Sequence, residues 1–162
     1  MPLTQFNKKI LISLLIFISF LLFLAFLIEY RLGHEPCKLC LYQRIPYFIS
    51  IILIGVIFFI KKYEKTILIL LFFTFIVSGI LAFYHFGIEQ GFFKESLVCD
   101  LKKNDPDLSK ADLLKQLKQT TISCKDVTFR FFGLSLATIN TVISSILSVI
   151  TIKIFLNYGK NE

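Results

Sequence analysis

At 162 residues, 56% of them hydrophobic, with 19 Phe and a mean hydropathy of +0.74, the chain is too apolar for a soluble domain of its size and reads as a membrane protein. Its net charge of +7 would suit a nucleic-acid binder in a soluble chain. Here the basic residues fall mainly in ends and loops between apolar runs, as membrane flanks do, so a lipid bilayer and not nucleic acid is the expected partner.

The leader Met1 to Lys9 carries Lys8 and Lys9, and Ile10 to Ile28 is apolar apart from Ser13 and Ser19. At about 1.5 Å per residue such a run spans roughly 30 Å, the thickness of a hydrocarbon core. It exceeds the apolar region of about 7–15 residues in a cleaved signal and ends Phe26-Leu27-Ile28-Glu29 without a small-x-small site. A retained anchor is the expectation.

Residues 29 to 40 form a polar loop in which Pro36 fixes the backbone ahead of Cys37-Lys38-Leu39-Cys40. The second run, about 41 to 60, starts directly behind the pair, with Gln43, Arg44 and Pro46 in its first turns, where proline is tolerated. A Cys-x-x-Cys closes a small ring that opens and re-forms readily, and a nearby cation stabilises the attacking thiolate. Arg44 follows Cys40 at helical i, i+4 spacing and is placed for that task; an anchor on lipid phosphate is the plainer role.

After the turn Lys61-Lys62-Tyr63-Glu64-Lys65, the third run, about 67 to 86, ends in Tyr84-His85-Phe86-Gly87. The fourth covers about 131 to 156. The loop between them, 87 to 130, holds Cys99 and Cys124. Within it Asp105-Pro106 reads as a turn and Ser109-x-x-Asp112 as a variant capping box. Leu108, Ala111, Leu114 and Leu117 recur at helical spacing opposite Lys110, Lys115 and Lys118. They predict a short amphipathic helix, lying on the membrane surface or packed on the protein.

The expected fold is therefore an all-α membrane protein: one domain over 1–162, a four-transmembrane-helix bundle with that short helix in its second polar loop. Ser50, Gly55, Ser78, Gly79, Ala82, Thr141, Ser144, Ser145 and Ser148 supply small residues for close helix approach. Four crossings put both termini and the 61–65 turn on one side. The four cysteines, Arg44 and His85 share the other.

Charge alone orients this bundle poorly. The cysteine-free side carries Lys8, Lys9, Lys61, Lys62, Lys65, Lys153 and Lys160, and the other 11 Lys and Arg lie on the cysteine side. Eight of those 11 fall in the longest loop, where they weigh less than the cluster in the short turn. Paired thiols persist as disulfides outside the cytosol, which favours an extracytoplasmic cysteine face.

Four cysteines permit three pairings, of which 37–40 with 99–124 is the simplest. A bridge closing the loop from Cys99 to Cys124 would on its own be a structural staple worth about 3.5 kcal/mol on the chain-entropy model. A zinc site using all four sulfurs would show two short knuckles, and the second pair is 24 residues apart, so no metal is expected.

The order Cys-x-x-Cys-x-x-x-Arg at the start of the second of four helices, Tyr-His at the end of the third, and two spaced cysteines in the next loop resembles the disulfide bond formation protein B (DsbB) family. Phe131-Phe132-Gly133-Leu134-Ser135-Leu136 looks like that family's entry to its fourth helix. The resemblance covers nearly the whole chain. It implies a quinone-linked thiol oxidase of the bacterial inner membrane, with cytoplasmic termini and periplasmic cysteine loops, that re-oxidises a DsbA-like thioredoxin-fold dithiol protein.

Carried over by motif, Cys99 is the sulfur attacked by the partner, Cys124 exchanges electrons within the loop, and Cys37 and Cys40 relay them. Cys40 then faces a ubiquinone or menaquinone ring held and polarised by Arg44 and His85. Glu35, Tyr42, Gln43 and Tyr84 line the same mouth without assigned chemistry. The chain has no Trp, which the family often uses near the interface. A vitamin K epoxide reductase-like protein shares the four-helix, two-pair plan but has its cysteine pairs in the reverse order. A scaffold stapled by inert disulfides is the non-enzymatic alternative.

Overall fold

The computed structural model describes residues 5–34, 36–94, 123–125, 130–131 and 133–158. Four long helices dominate: α1 (Gln5–Leu32), α2 (Lys38–Phe59), α3 (Glu64–Glu89) and α4 (Leu136–Tyr158). Each is long and apolar enough to cross a bilayer. Cys99, Glu35 and the expected amphipathic helix around 108–117 lie outside the described residues.

The helices are longer than their apolar runs because flanking polar residues extend them. α2 begins at Lys38, not Leu41: Cys37 serves as N-cap, its sulfur accepting from the Cys40 N–H, while its carbonyl accepts from Leu41 N. Cys40 thus belongs to the first helical turn. Pro46 becomes the ninth residue of α2, inside the helix and not in its first turns, and lacks the N–H that the Tyr42 carbonyl would otherwise receive.

The third apolar run ends at about residue 86; α3 runs on to Glu89. Gly91, at φ +78°, takes the left-handed position of a Schellman cap, with Gly91 N donating to Ile88 O and Phe92 N to Gly87 O. The cap folds Phe93 back onto Gly87, where a Cβ would lie 2.1 Å from the ring, and stacks it on Tyr84 at 5.6 Å between centroids. Only glycine leaves room for that return.

The 61–65 turn contracts to a 3-10 turn, Lys61–Tyr63. The fourth helix starts at Leu136, five residues later than its apolar run. Arg130–Phe131 and Leu134–Ser135 pair as a small antiparallel hairpin turning at Gly133, φ +81°. Ser135 then caps α4, its hydroxyl oxygen accepting from Thr138 N.

α3 packs most extensively against α4 and next against α2, and α1 rests on α2. Leu11, Leu14, Ile18 and Leu22 present one stripe of α1 to a core shared with Ile54 and Ile57, Leu68, Leu71 and Phe75, and Leu147 and Ile154. Large apolar side chains such as Phe20, Phe23, Ile52, Phe73, Ile80 and Ile146 stay exposed on the outside, as a lipid-facing surface requires.

Small residues bring α3 and α4 together: Ser78 and Ser144 hydroxyls are 3.0 Å apart, and a Cβ at Gly79 would touch Ser144. Gly55 and Ser145 do not act this way. A Cβ at Gly55 meets nothing within 4 Å, and exposed Ser145 bonds its own helix at Thr141 O.

Candidate functional site

The first pair sits where three segments converge. Pro36 and the cap at Cys37 set the start of α2, so the two sulfurs leave the N-cap and the third residue of its first turn, 2.8 Å apart as free thiols. A covalent S–S bond is about 2.0 Å long, so closing the ring needs little motion. Cys37 is buried and Cys40 half-buried.

His85, from the last turns of α3, reaches Cys37 with Nε2 at 3.5 Å from Sγ. Its Nδ1 is 2.9 Å from the Gln43 amide nitrogen. Gln43 Oε1 accepts from Asn140 Nδ2 at 2.8 Å, Asn140 Oδ1 accepts from the Tyr47 hydroxyl, and Tyr47 contacts Ser144. A polar chain thus runs from the thiols down between α2, α3 and α4.

The Cys37 thiol is held well below its ordinary 9.0, at about 5. The largest cause is the hydrogen bond from the Cys40 thiol; burial opposes it, and His85 and the Cys40 N–H add to the lowering. The start of α2 contributes its positive end at the same place. Cys37 is therefore a thiolate at neutral pH, poised to attack a disulfide or to leave from one.

Cys124 lies against this pair. It is buried with Cys37, Leu39 and Ile88, with Cys40 and Tyr84 packed on the cluster, and its backbone hydrogen-bonds with His85. Cys124 is already oxidised in a disulfide, whose partner lies outside the described residues.

A cavity of about 480 Å³ opens between α1, α2 and α4. Leu21, Leu22, Ala25 and Ile28 form one wall and Leu136, Ile139 and Ile143 another, while Glu29, His34, Cys40, Gln43, Arg44, Tyr47 and Asn140 supply its polar groups. Arg44, expected to turn toward Cys40, pairs instead with Glu29 at 2.5 Å and stacks on the Phe26 ring at 5.0 Å. It stays on the cavity wall. His85, expected beside a quinone, does not line the cavity and faces the thiols.

Sequence reading left Glu89, Asn140 and Tyr47 unnamed and gave Gln43 no chemistry. Asn140 and Tyr47 carried a signal, since polar groups inside apolar runs are costly and tend to mark function. Glu89 falls past the end of the third apolar run. With α3 continuing, its carboxylate falls one turn beyond His85, Oε1 at 3.6 Å from Nε2, with its side chain only 6% exposed. Its Oε2 has no partner among the described residues.

The chain matches the family model described as Disulfide bond formation protein DsbB over residues 7–154. It is similar to the Uncharacterized protein RP370 of Rickettsia prowazekii (strain Madrid E), 31% identical over 136 residues that cover 83% of this chain and 78% of the relative. A dithiol with one activated sulfur, a loop disulfide packed against it and an apolar cavity at its edge, all on four membrane-length helices, agree with that match: the chain belongs to the DsbB family of membrane disulfide-bond-forming thiol oxidoreductases.

Proposed function

We propose that this protein is a quinone-dependent thiol oxidase that re-oxidises a DsbA-like, thioredoxin-fold dithiol protein. It sits in the bacterial inner membrane with both termini cytoplasmic and the cysteine loops periplasmic. The observation that carries the reading is the placement of Cys40 on the wall of an apolar cavity while Cys37, beside it, packs against oxidised Cys124. One sulfur of the pair meets the loop disulfide and the other meets lipid-accessible space.

In the proposed relay a partner thiolate attacks Cys99 of a Cys99–Cys124 disulfide, giving a mixed disulfide and releasing Cys124 as thiolate. The second partner thiol then expels Cys99, leaving an oxidised partner and two loop thiols. Cys124 passes the electron pair on by attacking Cys37, the sulfur it packs against, in an oxidised Cys37–Cys40 bond, which releases Cys40 at the cavity wall; Cys37, stable as a thiolate, is then the leaving group of the next exchange. Attack by Cys99 on Cys124 restores the loop disulfide and reduces the pair.

The cavity suits a quinone: its apolar walls can take ring and tail, and Gln43, Asn140 and Tyr47 are among the polar groups lining it. A bound quinone would accept two electrons and two protons from the dithiol. Arg44 contributes fixed positive charge on the wall, and Glu29 holds that guanidinium in place. His85 and Gln43 keep the thiols oriented.

The test mixes purified protein, a ubiquinone or menaquinone analogue and a reduced thioredoxin-fold dithiol protein, and follows quinone reduction optically. Cys40→Ser is expected to abolish quinone reduction, and Cys99→Ser to block capture of the partner. Unchanged turnover in either variant overturns the relay.

A further inference from the structure

Cys37 Sγ, Cys40 Sγ and His85 Nε2 all lie within 4.8 Å of one another. Glu89 adds a buried carboxylate beside His85, Oε1 3.6 Å from that nitrogen and Oε2 without a partner among the described residues. A buried carboxylate oxygen left unpaired costs free energy, and a cation is one of the few groups that satisfies it. We propose that the reduced protein binds a thiophilic divalent cation, zinc foremost, through Cys37, Cys40, His85 and Glu89.

The geometry is close to what such an ion needs. With Zn–S near 2.3 Å and Zn–N and Zn–O near 2.0–2.1 Å, a tetrahedron has edges of about 3.5 Å from sulfur to nitrogen and about 3.3 Å from nitrogen to oxygen. The Cys37–His85 and His85–Glu89 separations are 3.5 and 3.6 Å. The two sulfurs must move from 2.8 Å to an edge of about 3.8 Å by rotation about Cα–Cβ, and the Glu89 carboxylate, outside the 4.8 Å cluster of the other three, must swing from His85 toward the sulfurs. Gln43 completes the arrangement. With the Gln43 and Asn140 amides both turned over, the Gln43 oxygen accepts the Nδ1 proton, its nitrogen donates to the Asn140 oxygen, and the Asn140 nitrogen donates to the Tyr47 hydroxyl, which fixes the tautomer that leaves Nε2 free to ligate.

This site differs from the four-sulfur arrangement rejected from sequence, since it takes one cysteine pair and two side chains of α3. It exists only in the dithiol state. A bound ion occupies both sulfurs and holds them apart, so it blocks ring closure and arrests the pair in its reduced form whatever the electron acceptor.

Reduced full-length protein in detergent, free of excess reductant, is titrated with Co²⁺ without quinone or partner. The expected result is one equivalent of cobalt with the d–d bands of a tetrahedral, thiolate-rich site, displaced by Zn²⁺. Cys37→Ser and Cys40→Ser abolish the bands. The isosteric Glu89→Gln, checked for helical circular dichroism, weakens binding about tenfold or more. A Cys99→Ser, Cys124→Ser double variant binds as the parent does. Absence of tetrahedral bands in the parent, their survival in Cys37→Ser, their loss in the double variant, or parental affinity in Glu89→Gln overturns the proposal. Quinone reduction, measured separately on the metal-free protein, stands or falls independently.

Discussion

Replacing Cys40 by Ala removes the largest single stabiliser of the Cys37 thiolate while keeping the Cys40 N–H and His85. At about 5, Cys37 is ionised roughly a hundredfold over its thiol form at pH 7. A hydrogen bond to a charged group is worth about 1.5–3 kcal/mol, and each pH unit corresponds to about 1.4 kcal/mol, so half-ionisation should move up by about 1–2 pH units. The assay is a thiolate ultraviolet titration of the reduced pair from about pH 4 to pH 9. The absence of Trp keeps its background low. If Cys40→Ala still titrates near 5, the helix start and His85 hold the thiolate and the argument from Cys40 fails. The sign carries to stability. The unfolded chain keeps its thiol proton up to 9.0, so the reduced fold gains stability as pH rises from about 5 toward 9, and loses it as pH falls back through 5.

Gly87→Ala drives a Cβ into the Phe93 ring and should cost about 1–3 kcal/mol in thermal unfolding, relieved by adding Phe93→Ala. Gly55→Ala, with open space at its Cβ, should be neutral or stabilise α2 by up to about 1 kcal/mol; a comparable loss at both glycines would sink the distinction. Arg44→Ala should raise the quinone concentration needed for half-maximal turnover more than it lowers the maximum. Unaltered turnover at every quinone level would remove Arg44 from the cavity's function.

Sequence was strongest where lipid imposes one requirement over many residues. Apolar length alone marked all four helices, and parity put the described Cys37, Cys40 and Cys124 together, as the packing of Cys124 on the pair bears out. It was weakest at helix ends. The third apolar run stops at about residue 86, yet α3 continues to Glu89 and the left-handed position that stops it belongs to Gly91. Hydropathy likewise drew α4 back over Phe131, because the apolar Phe131 and Leu134 of the hairpin run on into the apolar start of the helix. Arg44 shows a further gap. The i, i+4 rule fixed its position relative to Cys40, but the choice between a thiol and the Glu29 carboxylate was settled by α1, fifteen residues away in sequence.

Gln43 is where these strands of reasoning meet, because it alone among the described residues joins His85 on α3 to Asn140 on α4. An amide suits the position, since it offers donor and acceptor together and carries no charge into the bundle. In Gln43→Leu the His85 Nδ1 and the Asn140 amide both lose their partner while remaining buried or half-buried, at about 1–3 kcal/mol for each group left unsatisfied. Unfolding in detergent should register that loss. A purely structural role ends there. If Gln43 instead sets the ring that faces Cys37, the same substitution also raises the pH at which Cys37 ionises, because His85 no longer points Nε2 at Sγ. Lower stability with an unshifted Cys37 titration would confine Gln43 to packing and cut the polar chain off from the thiol chemistry.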